Sequence, residues 1–168
     1  MGKKKYIITS ITLGLIAASS GALIGLTNLI TKDRIAQNEQ NKINAGICEI
    51  FGKNATISSE SEKTGYKYVT YLYNVNEDGL AFKTEGSNTY GKISLLVGFN
   101  QNSESEYVFA GLYVVNNEQT YASTLTKNYL DPVNDGSRDL DDVSCGATYG
   151  AKLVRDMVNE AKEIANKL

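Results

Sequence analysis

Between Tyr6 and Ile30 the chain holds no charged residue. As a helix that run extends about 37 Å, longer than a hydrocarbon core of about 30 Å, so it can span a membrane with some tilt. A cleaved signal peptide needs an apolar region of only about 7–15 residues. An uncleaved anchor is therefore the better reading of residues 6–30. Cys48 lies well downstream, so nothing points to a lipidated N-terminus. Lys3, Lys4 and Lys5 crowd the short leading side. The positive-inside rule keeps residues 1–5 in the cytoplasm and sends everything after residue 30 to the extracytoplasmic face. The expectation is a single-pass protein of the cell membrane.

That orientation gives the charge balance a meaning. Taking the three leading lysines from the 17 basic residues, and setting the rest against all 19 acidic ones, leaves residues 31–168 at a net −5. An acidic module outside the membrane is a poor electrostatic match for nucleic acid. The chain has no histidine, which excludes Ser-His-Asp and Cys-His catalysis and His-containing zinc sites. Its two cysteines, Cys48 and Cys145, are too far apart for a CxxC metal motif and are read as free thiols. No metal site is expected.

After the anchor, residues 31–64 read as a helical stalk and linker. Ile35, Ile43, Ile47 and Ile50 recur among polar residues, the helix ends near Gly52, and "KNATISSESEKTG" reads as a polar loop. Residues 65–168 read as the domain proper. "YKYVTYLYNV" is strand-like, "NEDG" at 76–79 is a turn, and "LAFKTEG" is a further strand before the loop "SNTYG". "KISLLVGFN" is a nearly continuous apolar run, as in a strand covered on both faces, and "YVFAGLYVV" follows as its hairpin partner across the polar turn "QNSESE". The long stretch from Asn116 to Asp142 reads as a loop, of a length that is often functional. A final helix carries a stripe at Ala151, Val154, Met157, Val158, Ala161, Ile164, Ala165 and Leu168. The fold class is α+β, with a central, mainly antiparallel sheet flanked by helices and preceded by one transmembrane helix.

"SCGATYG", residues 144–150, runs straight into that last helix. One reading is structural: Ser144 or Thr148 caps the helix, and Gly146 supplies an unusual backbone angle. The other is chemical. A helix start exposes unpaired N–H groups and the positive end of the dipole, and small residues there let a phosphate approach. There is no P-loop lysine and no GxGxxG, so nucleoside triphosphate chemistry has no support.

The stretch "DDVSCGATYGAKLV" resembles the flavinylation motif of the FMN-binding domain family, which includes the G subunit of the Rnf complex and the C subunit of the sodium-pumping NADH:quinone reductase. The family's pattern is an aspartate, a short variable stretch, then Gly-Ala-Thr. Asp142, Gly146, Ala147 and Thr148 stand in those places. The residue before the glycine is Cys145, where the family usually has Ser or Thr, and Gly150 stands where Ser or Thr is common. The resemblance implies covalent FMN on Thr148 through a phosphoester, installed by a flavin transferase that reads Asp142. It implies a cofactor environment of Ser144, Cys145, Gly146, Ala147 and Tyr149, with Tyr90 and Gly91 from the "TYGK" loop and Thr120 from "NEQTYASTL". Tyr90, Tyr121 and Tyr149 could stack on the flavin ring.

By the same resemblance the chain is expected to be a G-type subunit relaying electrons beside other membrane subunits of an Rnf-like ion-translocating complex, not a stand-alone catalyst. A stand-alone extracellular electron-transfer flavoprotein and a cofactor-free, surface-anchored binding module are the alternatives. Neighbouring genes for Rnf subunits separate the first two, and the mass of the Thr148 peptide separates both from the third.

Overall fold

The computed structural model describes residues 2–102 and 106–168; the tip of the "QNSESE" turn, and the side chains at 2–5, 29, 30 and 33, lie outside the described residues. The chain forms two compact units, Met1–Asn41 and Lys42–Leu168.

Helix α1 runs from Gly2 to Phe51. Within the first unit, Tyr6–Asn28 is long and apolar enough to cross a membrane, with a mean hydropathy of 1.9. Its large side chains, Ile7, Ile11, Leu15 and Leu23 among them, are exposed. Four hydroxyls of the span are paired within the helix: Thr12, Ser19, Ser20 and Thr27 each donate to the carbonyl four residues back. That is how such side chains are accommodated where no water is available.

The second unit is a five-stranded antiparallel sheet in sequential order. Its strands are β1 (Ile57–Glu62), β2 (Val69–Val75), β3 (Gly79–Asn88), β4 (Gly91–Gln101) and β5 (Tyr107–Asn117). Alternation along the strands sends residues to two cores. Leu72, Phe82, Leu95, Val97 and Phe99 face one, while Tyr73, Val75, Ala81 and Leu96 face the other. The last turns of α1 cover the second face with Ile43 and Ile47. Helix α4 (Thr148–Ala165) covers the first, together with a helical run between β5 and α4. β4 is thus buried on both faces, as its apolar sequence requires.

Four sequence expectations change. The loop "KNATISSESEKTG" contains β1, an edge strand whose side chains are almost all exposed. It is held by its backbone ladder to β2, which leaves no apolar pattern to read. β3 continues through Ser87 and Asn88, so "SNTYG" shrinks to a tight turn at 89–90. The presumed loop after β5 is largely helical: α2 (Ala122–Leu125), a π-helical turn (Thr126–Leu130) and α3 (Asp131–Asn134). Pro132 lacks the N–H for an i→i−4 bond, and the wider turn just before it accommodates that loss. Leu168 lies beyond α4 and is exposed, while Gly150 and Leu153 join the buried stripe.

Two polar clamps lock the layers. The Glu160 carboxylate on α4 accepts the backbone N–H groups of Lys67, Tyr68 and Val69 at 2.9, 2.6 and 3.0 Å, fixing the start of β2. The Asn134 side-chain amide accepts from Leu112 N–H and donates to Leu112 O, both at 2.7 Å, pairing with the open edge of β5.

Candidate functional site

Thr148 is the first residue of α4, and Ala147 precedes it in the cap position with no side-chain cap hydrogen bond. Neither Ser144 nor Thr148 therefore acts as the capping side chain that the structural reading assigned to them. The first intrahelical bond is Ala151 N–H to Ala147 O, and the amides of residues 148–150 are left without helical acceptors, as at every helix start. Thr148 is half-buried at this end.

The turn into α4 depends on Gly146, whose φ of +81° lies in the left-handed region. The loop before it is tied down from two sides. Asn128 Nδ2 donates to Cys145 O at 3.1 Å. Arg138 Nη1 donates to the carbonyls of Asp142 and Ser144 at 3.1 and 3.2 Å, with the Asp142 carboxylate 3.7 Å away. Below the loop, Tyr129 is buried and its hydroxyl donates to Leu140 O; burial pushes its phenol pKa up.

A cavity of about 280 Å³ opens at Thr148, lined by Tyr90, Gln119, Tyr121, Leu125 and residues 146–150. That is close to the lower end of ligand clefts, about 300 Å³. Three tyrosines stand together there. Tyr90 lies 5.7 Å from Tyr121 and 5.5 Å from Tyr149, centroid to centroid. They remain 36%, 52% and 65% exposed for Tyr90, Tyr121 and Tyr149 respectively, so they form an open aromatic wall and not part of the core. No lining residue is charged, which leaves the α4 amides and dipole as the positive component facing an anion.

Of the residues singled out from sequence, the structure brings Gly146, Ala147, Thr148, Tyr149 and Tyr90 together, with Tyr121 beside them. Gly91 and Thr120 stand behind this wall. Thr120 donates from its N–H (2.7 Å) and its hydroxyl (3.0 Å) to Tyr90 O. Gly91, at φ +132°, lets the strands cross so closely that a Cβ would stand 2.2 Å from Glu118 O. Thr120 thus holds Tyr90 in place from outside the lining. Ser144 and Cys145 line a different, more polar cleft with Lys127, Asn128 and Arg138. Cys145 is buried against the main core, and among the described residues both cysteines are free. Asp142 is exposed ahead of the motif.

Gln119 and Leu125 were not singled out in sequence, and Gly150 only as a departure from the family's pattern. Leu125, Tyr129, Leu130 and Val133 follow a helical i, i+4, i+5, i+8 pattern, which could have revealed the helix that delivers Leu125. Gln119 offers no such signal. Gly150 is a packing site, since a Cβ there would meet Leu125 at 3.0 Å.

The fold and site define a helix-led α+β protein with an aromatic cleft at the start of its last helix. Residues 1–49 match the family model described as the RnfG N-terminal region. That match is a likeness to RnfG-type proteins over the first 49 residues, and it coincides with a helix long and apolar enough to serve as a single membrane span. No curated protein matches the chain.

Proposed function

We propose that the chain is the G-type subunit of an Rnf-like ion-translocating electron-transport complex, carrying FMN as a phosphoester of Thr148 in an extracytoplasmic domain. The observation that carries this reading is the convergence of Thr148, at the end of the Asp142…Gly146-Ala147-Thr148 pattern, with a cavity walled by three exposed tyrosines. The match of residues 1–49 supports the same assignment from the other end of the chain.

The residues present suit the group. The unpaired amides at the start of α4 can hold the charge of a phosphate diester on the Thr148 oxygen, with no competing carboxylate in the lining. Gly146 and Ala147 leave the backbone accessible there. Tyr90, Tyr121 and Tyr149 offer ring faces to a planar heterocycle, and Leu125 gives the cavity an apolar floor. Asp142 is exposed and open to a modifying transferase. FMN bound here would supply reversible electron transfer, while the protein supplies attachment, orientation and a local field. A covalent tether suits an extracytoplasmic domain, where a dissociated cofactor would be lost.

Co-expression with a flavin transferase tests the proposal. The denatured chain should show flavin fluorescence in a gel and lose it in Thr148→Val, and the native chain should co-isolate with the membrane subunits of an Rnf-like complex. A dark wild-type band would remove the flavin from the account.

A further inference from the structure

Resting on the flavin reading of this cavity, we infer that Gln119 is the residue that recognises the edge of the flavin ring, its Oε1 accepting the ring's N3–H. Gln119 is one of very few buried polar side chains, only 7% exposed, and it lines the cavity beside Thr148. Its amide has a fixed orientation. Nε2 donates to Gly91 O, and because a carbonyl can only accept, the nitrogen must face Gly91. Its backbone is pinned as well, with Gln119 N–H donating to Asn117 Oδ1 at 3.1 Å.

That leaves Oε1 on the cavity side, with no protein donor among the described residues. It stands 3.4 Å from where a Cβ on Gly150 would be, so the missing side chain at Gly150 is what keeps the oxygen uncovered. An acceptor held in a fixed orientation at a cavity wall, with no protein donor of its own, is free to take one from a ligand. Oε1 can only accept, so the ligand must bring a donor. The oxidised isoalloxazine ring has a single N–H, at N3; its other edge atoms are acceptors. The ribityl hydroxyls are the other possible source of a donor in flavin, and the probes below exclude them.

The full chain, purified without a flavin transferase, is titrated with lumiflavin, which has no ribityl chain, and with N3-methyl-lumiflavin, which also lacks the N3 donor. Quenching of flavin fluorescence reads the Kd. Wild type should bind lumiflavin about tenfold more tightly than the N3-methyl probe, the ratio a 1.4 kcal/mol interaction produces. Gln119→Met should bind both equally, and Gln119→Glu, which keeps an acceptor oxygen, should retain discrimination. Equal binding of the two probes by wild type, or discrimination that survives in Gln119→Met, overturns the inference. If Gln119→Met does not fold, the wild-type comparison still decides. Failure of lumiflavin to bind also overturns the role of Gln119, while leaving attachment at Thr148 to be judged separately by peptide mass. Conversely, Gln119-dependent binding upholds the inference even if Thr148 stays unmodified after co-expression with a flavin transferase, a result that would remove only the covalent link.

Discussion

Replacing Gly146 with alanine isolates the conformational cost of the motif turn. Gly146 sits at φ +81°, and the nearest atom to an added Cβ is Thr124 Cγ2 at 3.5 Å, an ordinary contact. Steric overlap therefore contributes little, and the penalty is that of holding an L-residue in the left-handed region, about 1–2 kcal/mol. With a urea m-value of about 2 kcal/mol/M, the unfolding midpoint should fall by about 0.5–1 M. Tyrosine fluorescence of the chain can follow the transition. Gly146→Asn should lose less, because asparagine tolerates this region better. An alanine variant within about 0.3 kcal/mol of wild type, or an asparagine variant less stable than alanine, would refute the reasoning. It would mean that the backbone at 146 relaxes to another conformation at no cost.

The other expectations test separate parts of the structure. Thr148→Val should change stability by less than about 0.5 kcal/mol in denaturant unfolding, because no side chain caps α4; a loss near the 1 kcal/mol of a true cap would restore the structural role. Glu160→Ala removes the acceptor of three backbone N–H groups and should cost about 2–3 kcal/mol, with faster amide exchange at Tyr68 and Val69; unchanged exchange there would count against the clamp. Protease added to intact cells or spheroplasts should digest the region after Asn28 while sparing the N-terminus, as the three leading lysines require; protection of the domain would reverse the orientation.

Where sidedness produced a pattern, the sequence was informative. β4 is apolar at nearly every position from Leu95 to Phe99 because helices cover both its faces, and α4 shows its stripe because one face meets the sheet. β1 was invisible for the opposite reason: an exposed edge strand needs only backbone pairing, and "ISSESE" carries no alternation. The helical run from Ala122 to Asn134 was hidden by its polar surface and by Pro132. At the site, the motif located Thr148, Gly146 and Ala147 because they are contiguous with a helix start. The tyrosine wall assembles from the β3–β4 turn, the residue that starts α2, and α4, and no local spacing encodes that meeting. Gln119 is likewise defined only by its bond to Gly91, 28 residues away in sequence. Of the two singled out as cofactor neighbours, Thr120 acts through the backbone of Tyr90 and Gly91 through its carbonyl, which orients Gln119.

The central claim rests on one hydroxyl. After co-expression with a flavin transferase, fragmentation mass spectrometry of the peptide spanning Asp142 to Lys152 should show the added mass of FMN, less water, localised to Thr148 and absent from Thr148→Val. An unmodified peptide, or the same mass carried by Ser144 or Tyr149, would contradict the account.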